Sequence, residues 1–229
     1  MSRKAIKVAR VLSKGYVRKV PVDEPPSADL PQRDLGDDPL AMRALAHRLR
    51  LRLLEELTLR GPLTATQCAD LVGESPSSCS FHLRTLAKYG FVEEAEGGTG
   101  RQRPWRTVAL GNRWQTGPGV SPAVRTAGEA LAGQVRRRDN ELLDEHLARE
   151  AELPQEWVEA SIHSNFGSWL TVEELAELGE ALTELWRPYL SRLRDPASRP
   201  PDSRLVHMFA HAFPRPEGAA PTDGTVDDA

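Results

Sequence analysis

The sequence has few cysteines and no long apolar stretch, and these two absences exclude several classes of protein. Cys68 and Cys79 are the only cysteines, too few for the disulfide scaffold of a small secreted domain. No apolar run approaches the ~20 residues that a membrane-spanning helix needs. The amino terminus is basic, but charges recur through Lys19, so it lacks the apolar stretch of a signal peptide. We therefore expect a soluble, cytoplasmic protein with no membrane partner.

The sequence also lacks the motifs of common enzyme sites. It contains no Gly-rich phosphate loop, no nucleophile elbow and no HExxH. Acidic residues such as Glu173 and Glu174 are explained by helix capping and solvation. We therefore expect no catalytic residues, no cofactor and no enzymatic activity.

Charge is distributed unevenly along the chain. The formal net charge is −3 over 229 residues. Residues 1–38 hold eight basic and six acidic side chains, residues 39–110 hold ten and seven, and residues 111–229 hold twelve and twenty. Such a change of sign is expected when one part of a chain meets phosphate groups and another part does not.

The first 38 residues are interpreted as a basic arm and a linker. Residues 1–22 contain seven basic and no acidic side chains, whereas residues 23–38 are acidic and rich in proline. The basic segment is compatible with an arm along DNA, with a disordered leader, or with an added strand, because apolar residues alternate near its end.

Residues 39–110 predict three helices followed by a hairpin. Leucines recur every four positions from Leu45 to Leu57, which predicts a helix over 40–59. The next two helices have their own start signals: a capping box at Thr64, and Ser75 followed by proline. Gly61, Gly73 and Gly90 mark the three helix ends.

A strand–turn–strand pattern closes this region. Residues 91–96 and 103–110 alternate like strands around the glycine-rich turn. The turn carries Arg101 and Arg103, which suit a wing that follows a phosphate track or enters a minor groove. A charged, solvated hairpin tip is the alternative.

The segment SPSSCSFHLRTLAKYGFV, residues 75–92, resembles the winged helix-turn-helix of ArsR-type bacterial transcription regulators. The most specific matches are Ser80, His82, Leu83, Leu86 and Gly90 at that family's spacing. LAMRALAHRLRLRLLEEL and GPLTATQCADLVG resemble its first helix and its positioning helix, and the residues after Leu170 resemble the carboxy-terminal part of longer actinobacterial members. The resemblance implies a DNA-binding fold.

Many members of that family sense metals through cysteines on the positioning helix. This sequence offers only Cys68 there, and one thiolate cannot build a tetrahedral site. We therefore interpret Cys68 and Cys79 as small apolar core residues. The resemblance extends to DNA binding and not to that mode of sensing.

The helix predicted from Pro76 has two distinct faces. Cys79, Leu83 and Leu86 share one face and are expected in the core. The opposite face offers a stripe suited to a major groove, with Arg84 able to pair with guanine and Phe81 able to contact a thymine methyl. An ordinary solvated face is the alternative. The candidate DNA-binding residues, including the wing, are Ser77, Ser78, Ser80, Phe81, Arg84, Lys88, Arg101 and Arg103.

The rest of the chain is predicted to be a second region. Residues 111–120 suggest a linker, and 121–213 a helical dimerisation and effector region with short strands near 157–170 and 204–213, before a loose tail at 214–229. One long helix is expected over 122–152 and is interpreted as the element that pairs two chains, with packing inside one subunit as the alternative. Another helix is expected after Thr171, where Glu174 completes a capping box.

The histidines and aromatic residues of the second region have two interpretations each. The histidines are interpreted as structural, with a metal cluster as the alternative; they are His146, His163, His207 and His211. The aromatic residues are interpreted as core, with a pocket for an apolar small-molecule effector as the alternative; they are Trp157, Phe166, Trp169, Trp186 and Phe209.

The sequence therefore predicts a mainly α protein with small β content, a winged helix-turn-helix followed by an α+β dimerisation and effector region. The function that fits is a sequence-specific transcription regulator, acting as a repressor, that binds double-stranded DNA as a homodimer and responds to a small molecule. A winged-helix module that binds other proteins without sequence-specific DNA binding is the alternative.

Overall fold

The structure, a computed structural model, describes residues 32–98, 102–165 and 167–215. These ranges are mainly helical and hold four short strands. The predicted basic arm, Arg101, Phe166 and most of the predicted tail lie outside them. None of the helices in these ranges combines the length and hydropathy that crossing a bilayer requires.

The helix predicted over 40–59 is two helices, α1 (Pro39–Leu45) and α2 (Arg48–Arg60). The chain leaves helical geometry at Ala46, and His47 caps α2 by accepting a hydrogen bond from the Leu49 N–H at its Nδ1 atom, 3.2 Å away. Leu45, Leu49, Leu53 and Leu57 are all buried nonetheless. The leucine spacing continues across the break, which is why it predicted a single helix.

The next two helices begin at the predicted residues. Thr64 and Gln67 cap α3 (Ala65–Val72) in both directions, with the two capping hydrogen bonds at 3.2 and 2.8 Å. Ser75 caps α4 (Pro76–Lys88) by accepting from the Ser78 N–H at 3.1 Å. Between them Gly73 takes a left-handed conformation with φ of 71°, which glycine adopts without steric cost.

The predicted hairpin forms with shorter strands. β2 (Val92–Glu94) and β3 (Trp105–Thr107) pair antiparallel, with Val92 opposite Thr107. Leu63 extends the pairing, because its backbone exchanges hydrogen bonds of 3.0 and 2.8 Å with Trp105. The wing is thereby joined to the segment that leads into α3.

Residues 32–38 and 111–120, the described parts of the two predicted linkers, each contain a short strand, which corrects the expectation of linkers there. β1 (Gln32–Asp34) pairs in parallel with β4 (Gly111–Arg113). Asp34 and Arg113 add an ion pair of 2.7 Å, and Leu35 is buried in the core. Composition predicted loops because it cannot show that two distant short segments satisfy each other's backbone groups.

The long helix forms as expected, as α5 (Pro122–Arg149) with a 3₁₀ turn over Glu150–Glu152. Its first half buries Val124, Ala127 and Leu131 in the same hydrophobic core as the preceding helices. Further along, Arg138 of α5 donates two hydrogen bonds to Glu55 of α2, at 2.9 and 3.1 Å. The first half of α5 therefore packs as part of the helix-turn-helix core.

The chain is mainly α with small β content, as the sequence predicts, but the strands expected near 157–170 and 204–213 do not form: residues 121–165 and 167–213 hold helices and no strand. Its helices after α5 are α6 (Gln155–Ala160) and α7 (Val172–Arg194), and a 3₁₀ turn spans Pro196–Ser198. The segments 161–165, 167–170 and 204–213 have no regular structure. Alternating residues predict a strand only where a neighbouring edge can accept its hydrogen bonds.

The predicted aromatic core of this region does not form within the single chain. Trp169 is fully exposed, and Phe209 is also exposed. Trp157 and Trp186 are half-buried. The interpretation of these described aromatic residues as a core is therefore wrong for one isolated chain.

The difference in burial between Leu131 and Leu147 on α5 predicts that their substitution lowers the stability of the chain to different extents. Leu131→Ala should lower the free energy of unfolding by about 2–5 kcal/mol, because it empties a fully buried site. Leu147→Ala, at a position that is half exposed on the same helix, should change it by no more than about 0.5 kcal/mol. Urea unfolding of the two variants followed by circular dichroism measures the difference. Equal effects would contradict the packing of α5 on the core.

Candidate nucleic-acid interface

Helix α4 is fixed by the burial of one face. Cys79, Leu83 and Leu86 are completely buried, as the sequence predicts. Because an α-helix turns about 100° per residue, this burial determines which residues of α4 point outward. The orientation of the candidate DNA-binding residues on α4 thus follows from three side chains.

The opposite face of α4 is exposed. Ser77, Phe81, Arg84 and Lys88 are exposed at spacings of four, three and four residues. Phe81 is 58% exposed, so its ring is available to a partner that covers this face. Arg84 donates a hydrogen bond of 2.7 Å to the Ser80 hydroxyl one turn earlier. The structure brings these candidates onto one continuous strip.

The amino-terminal end of α4 concentrates hydroxyl groups. The hydroxyls of Ser75 and Ser77 lie 3.0 Å apart, and Ser78 is half-buried beside them. The helix dipole places partial positive charge at this end. Hydroxyl and amide donors combined with that charge suit contacts to phosphate oxygens.

Two arginines of α2 lie near this end of α4, and the sequence analysis did not identify them. Arg52 donates a hydrogen bond of 3.0 Å to the carbonyl oxygen of Val72, the last residue of α3. Arg48 and Arg52 line a cavity of about 270 Å³ together with Ser78 and His82. Arg52 therefore stabilises the turn that sets α3 against α4. The only feature of the sequence that could have indicated Arg48 and Arg52 is that two basic residues lie one turn apart on α2.

Two histidines lie behind the exposed stripe. The rings of His47 and His82 are 4.6 Å apart, and Phe81 contacts His82 edge-on at 5.2 Å. Within the described ranges, the Nδ1 atom of His82 is buried without a hydrogen-bond partner. Burial lowers the pKa of both imidazoles, and the neighbouring Arg50 lowers each further. The protonated, positively charged form of both side chains is therefore disfavoured.

The wing arginines that the structure describes are held by carboxylates. Arg103 pairs with Glu94 at 2.7 Å, and Arg106 pairs with Glu93 at 2.7 Å across the same hairpin. Both pairs are well exposed. Arg103 stands near the hairpin tip as the sequence predicts, and Arg101 lies outside the described residues. The described bond to Glu94 uses one terminal nitrogen of Arg103, so a phosphate would share this guanidinium with Glu94 or replace Glu94.

The two cysteines lie in the core rather than at a binding site. Cys68 and Cys79 are free thiols and fully buried. Burial raises the pKa of Cys68 to about 12 and also raises the pKa of Cys79. A thiol must lose its proton to bind a metal tightly. These positions therefore favour the interpretation of both as apolar core residues.

The histidine pair predicts a pH dependence of stability. Because the pKa of His82 is below its ordinary value of 6.5 in the folded chain, the unfolded chain binds protons first as the pH falls. The His82 contribution to the free energy of unfolding should be constant above the ordinary pKa and should decline as the pH falls below it. In His82→Gln, the loss of stability between about pH 7.5 and 5.5 should be smaller than in the original chain. Urea unfolding at both pH values measures it, and an identical loss in both proteins would contradict the inference.

Comparison with known proteins identifies the part of the chain that contains α3 and α4. A family model described as "Helix-turn-helix domain" matches residues 45–95, which run from the end of α1 into the wing. Comparison with curated proteins gives no significant match.

Several solved structures align with the chain at low identity. They include a structure titled RV1404 from Mycobacterium tuberculosis (14% identity, 65% of this chain and 80% of that one, TM-score 0.27) and the MarR family transcription regulator SP03579 (15%, 68% and 80%, 0.28). The E41A mutant of Lactococcus lactis ZitR aligns at 11% identity over 81% of this chain and 99% of its own, with a TM-score of 0.26. The family match and the geometry of α3, α4 and the hairpin together identify residues 45–95 as a helix-turn-helix domain, the kind of domain with which DNA-binding regulators hold DNA.

Proposed function

We propose that this chain is a sequence-specific transcription regulator of the ArsR type, without enzymatic activity, that acts in the cytoplasm as a repressor and binds DNA as a homodimer. The observation that carries the proposal is the exposed strip on α4, where Phe81 and Arg84 stand outward while Cys79, Leu83 and Leu86 are buried. A helix held in this way can enter a major groove without any rearrangement of the core.

Each residue of the strip has a role that fits its position. Arg84 can donate two hydrogen bonds to a guanine edge once it leaves the Ser80 hydroxyl, and Phe81 can pack on a thymine methyl. Ser77 and Ser78 lie at the end of α4 where phosphate oxygens are favoured. Lys88, at the far end of the strip, suits a second phosphate contact. Arg103 of the wing suits the neighbouring minor groove or backbone.

Arg84 and Lys88 should contribute to DNA binding in two different ways. Arg84→Ala should weaken binding to the preferred sequence by about 1–3 kcal/mol and relax the preference at one base pair. Lys88→Ala should weaken binding to all sequences alike and reduce the slope of log affinity against log salt by about one. Gel-shift titrations of the full chain over a salt series measure both, with an operator selected from random DNA.

The matched control is Arg149→Ala. Arg149 is an exposed arginine at the end of α5 that pairs with Glu152 at 2.9 Å, and its removal should leave DNA affinity and salt slope unchanged. Binding that is independent of salt, or that survives Arg84→Ala undiminished, would defeat the proposed mode. Tight binding to another protein together with weak DNA binding would favour an interaction module.

We assign the pairing of two chains mainly to α7. The sequence favours α5 as the pairing helix, but its first half is already buried within its own chain. On α7 the apolar side chains Leu185 and Tyr189 are 62% and 53% exposed, and Val172 at its start is also exposed. A second copy of the chain is the occupant we propose, because a winged helix reads few base pairs alone and paired half-sites supply specificity.

This assignment predicts the effect of one charged substitution. Leu185→Asp should convert a dimer into a monomer, since it places a carboxylate in the proposed apolar contact. Val108→Asp, at an exposed apolar position outside the helices, should leave the dimer intact. Sedimentation equilibrium gives the mass of each species. A monomeric original chain, or a Leu185→Asp variant that remains dimeric, would contradict the role of α7.

Repression is the effect we propose for this dimer, because a protein that occupies an operator would deny that DNA to RNA polymerase. We place the response to a small-molecule effector in the region of α6 and α7. Its support is the exposed Trp169 together with the half-buried Trp157 and Trp186, because aromatic side chains left outside the core can contact an apolar ligand.

A further inference from the structure

The histidines of the second region form two separate groups rather than one. His207 lies 3.8 Å from a carboxylate oxygen of Glu55, and His211 lies 3.8 Å from one of Asp139. The other two histidines, His146 and His163, share the carboxylate of Glu150. The single cluster of four considered from the sequence is therefore divided, and only one of the two groups has the geometry of a metal site.

His146, Glu150 and His163 point their ligand atoms at a common space. The Oε1 atom of Glu150 lies 3.8 Å from Nε2 of His146 and 3.6 Å from Nε2 of His163. The two imidazole rings are nearly parallel, 19° apart in plane and 5.8 Å between centres. One ligand atom from each of the three residues lies within 4.8 Å of the others.

These separations are too long for hydrogen bonds and suit a cation placed between the groups. An N–H···O hydrogen bond spans about 2.7–3.2 Å, so neither imidazole is hydrogen-bonded to Glu150. A tetrahedral zinc ion with bonds of about 2.0–2.1 Å separates its ligand atoms by about 3.3 Å. Movements of a few tenths of an ångström to about 1.5 Å bring all three atoms to that spacing.

We propose that His146, Glu150 and His163 form a binding site for a divalent transition-metal cation, with Zn²⁺ as the best-fitting ion. Imidazole nitrogens and a carboxylate oxygen are a ligand set that such ions prefer. Each of the three side chains keeps part of its surface exposed, which leaves an entry path and room for water at the remaining position. The site is distinct from the cysteine positions on α3 and α4.

The local chain geometry supports the site. His146 lies in the last turn of α5, and Glu150, four residues later, begins the 3₁₀ turn that continues from it, a spacing that brings the two side chains to the same side. His163 comes from the irregular segment after α6 and can shift without breaking a helix. Arg149, also at the end of α5, is paired with Glu152 at 2.9 Å. A bound cation fastens residue 163 to the end of α5.

The second histidine group lacks these properties. Glu55, the partner of His207, already accepts two hydrogen bonds from the guanidinium of Arg138. A fixed positive charge at that carboxylate opposes a second cation. His207 and His211 therefore provide matched control positions on the same chain.

The experiment measures Zn²⁺ binding to the purified full-length chain without DNA, by competition with a chromophoric chelator. We expect one equivalent per chain, with affinity reduced at least about tenfold in His146→Ala and in His163→Ala. His207→Ala should bind as the original chain does. Substitution of Co²⁺ should give ligand-field absorption bands in the original chain that disappear in His163→Ala.

A thermal melt separates loss of the site from loss of the fold. Zn²⁺ should raise the melting temperature of the original chain and of His207→Ala but not that of His163→Ala. If His163→Ala is unfolded without metal, Glu150→Gln supplies the same test with the shape of the side chain preserved. No binding, or binding unaffected by these substitutions, overturns the metal site and leaves the proposed DNA binding untouched.

Discussion

The burial of three side chains on α4 is the constraint on which the rest of the structure depends. Cys79, Leu83 and Leu86 are inaccessible to solvent, so α4 cannot rotate about its axis without exposing them. A shift by one residue would turn the helix by about 100° and carry Phe81 from the outer strip toward the core. The apolar face thereby does more than stabilise the domain, because it also determines which side chains are offered to a groove.

The core that holds α4 extends beyond the residues that match the helix-turn-helix family. Leu35, before α1, and Leu131, on α5, belong to the same buried cluster. At Gly128, an added methyl group would lie only 2.7 Å from Thr116, which shows how closely α5 approaches the segment before it. A displacement of α5 would therefore expose apolar surface of the DNA-binding domain. The first half of α5 is therefore packed against the DNA-binding domain, whether or not α5 also takes part in dimerisation.

Features set by local hydrogen bonds could be predicted from the sequence, and features set by distant contacts could not. The starts of α3, α4 and α7 follow from Thr64, Ser75 and Thr171, whose side chains bond to backbone groups within three residues. The pairing of β1 with β4 joins segments almost eighty residues apart, so no local pattern indicates it. The strand expected over 204–213 is the opposite case. Its residues alternate as those of a strand do, but no strand among the described residues pairs with it. The strip on α4 could be predicted because it requires only helical periodicity and a known buried face.

The arginines of the proposed DNA interface differ in the interactions within the chain with which a DNA contact competes. Arg103 and Arg106 each hold a carboxylate with which a phosphate would compete, but exposed pairs of this kind contribute only about 0.2–1 kcal/mol. A phosphate can therefore replace Glu94 or Glu93 at little cost. The freed carboxylate then attracts a cation from solution, which offsets part of the counterion release that drives binding. Arg84 gives up only a neutral hydroxyl, that of Ser80. The salt dependence of binding should consequently come more from α4 than from the described part of the wing, although both carry arginine.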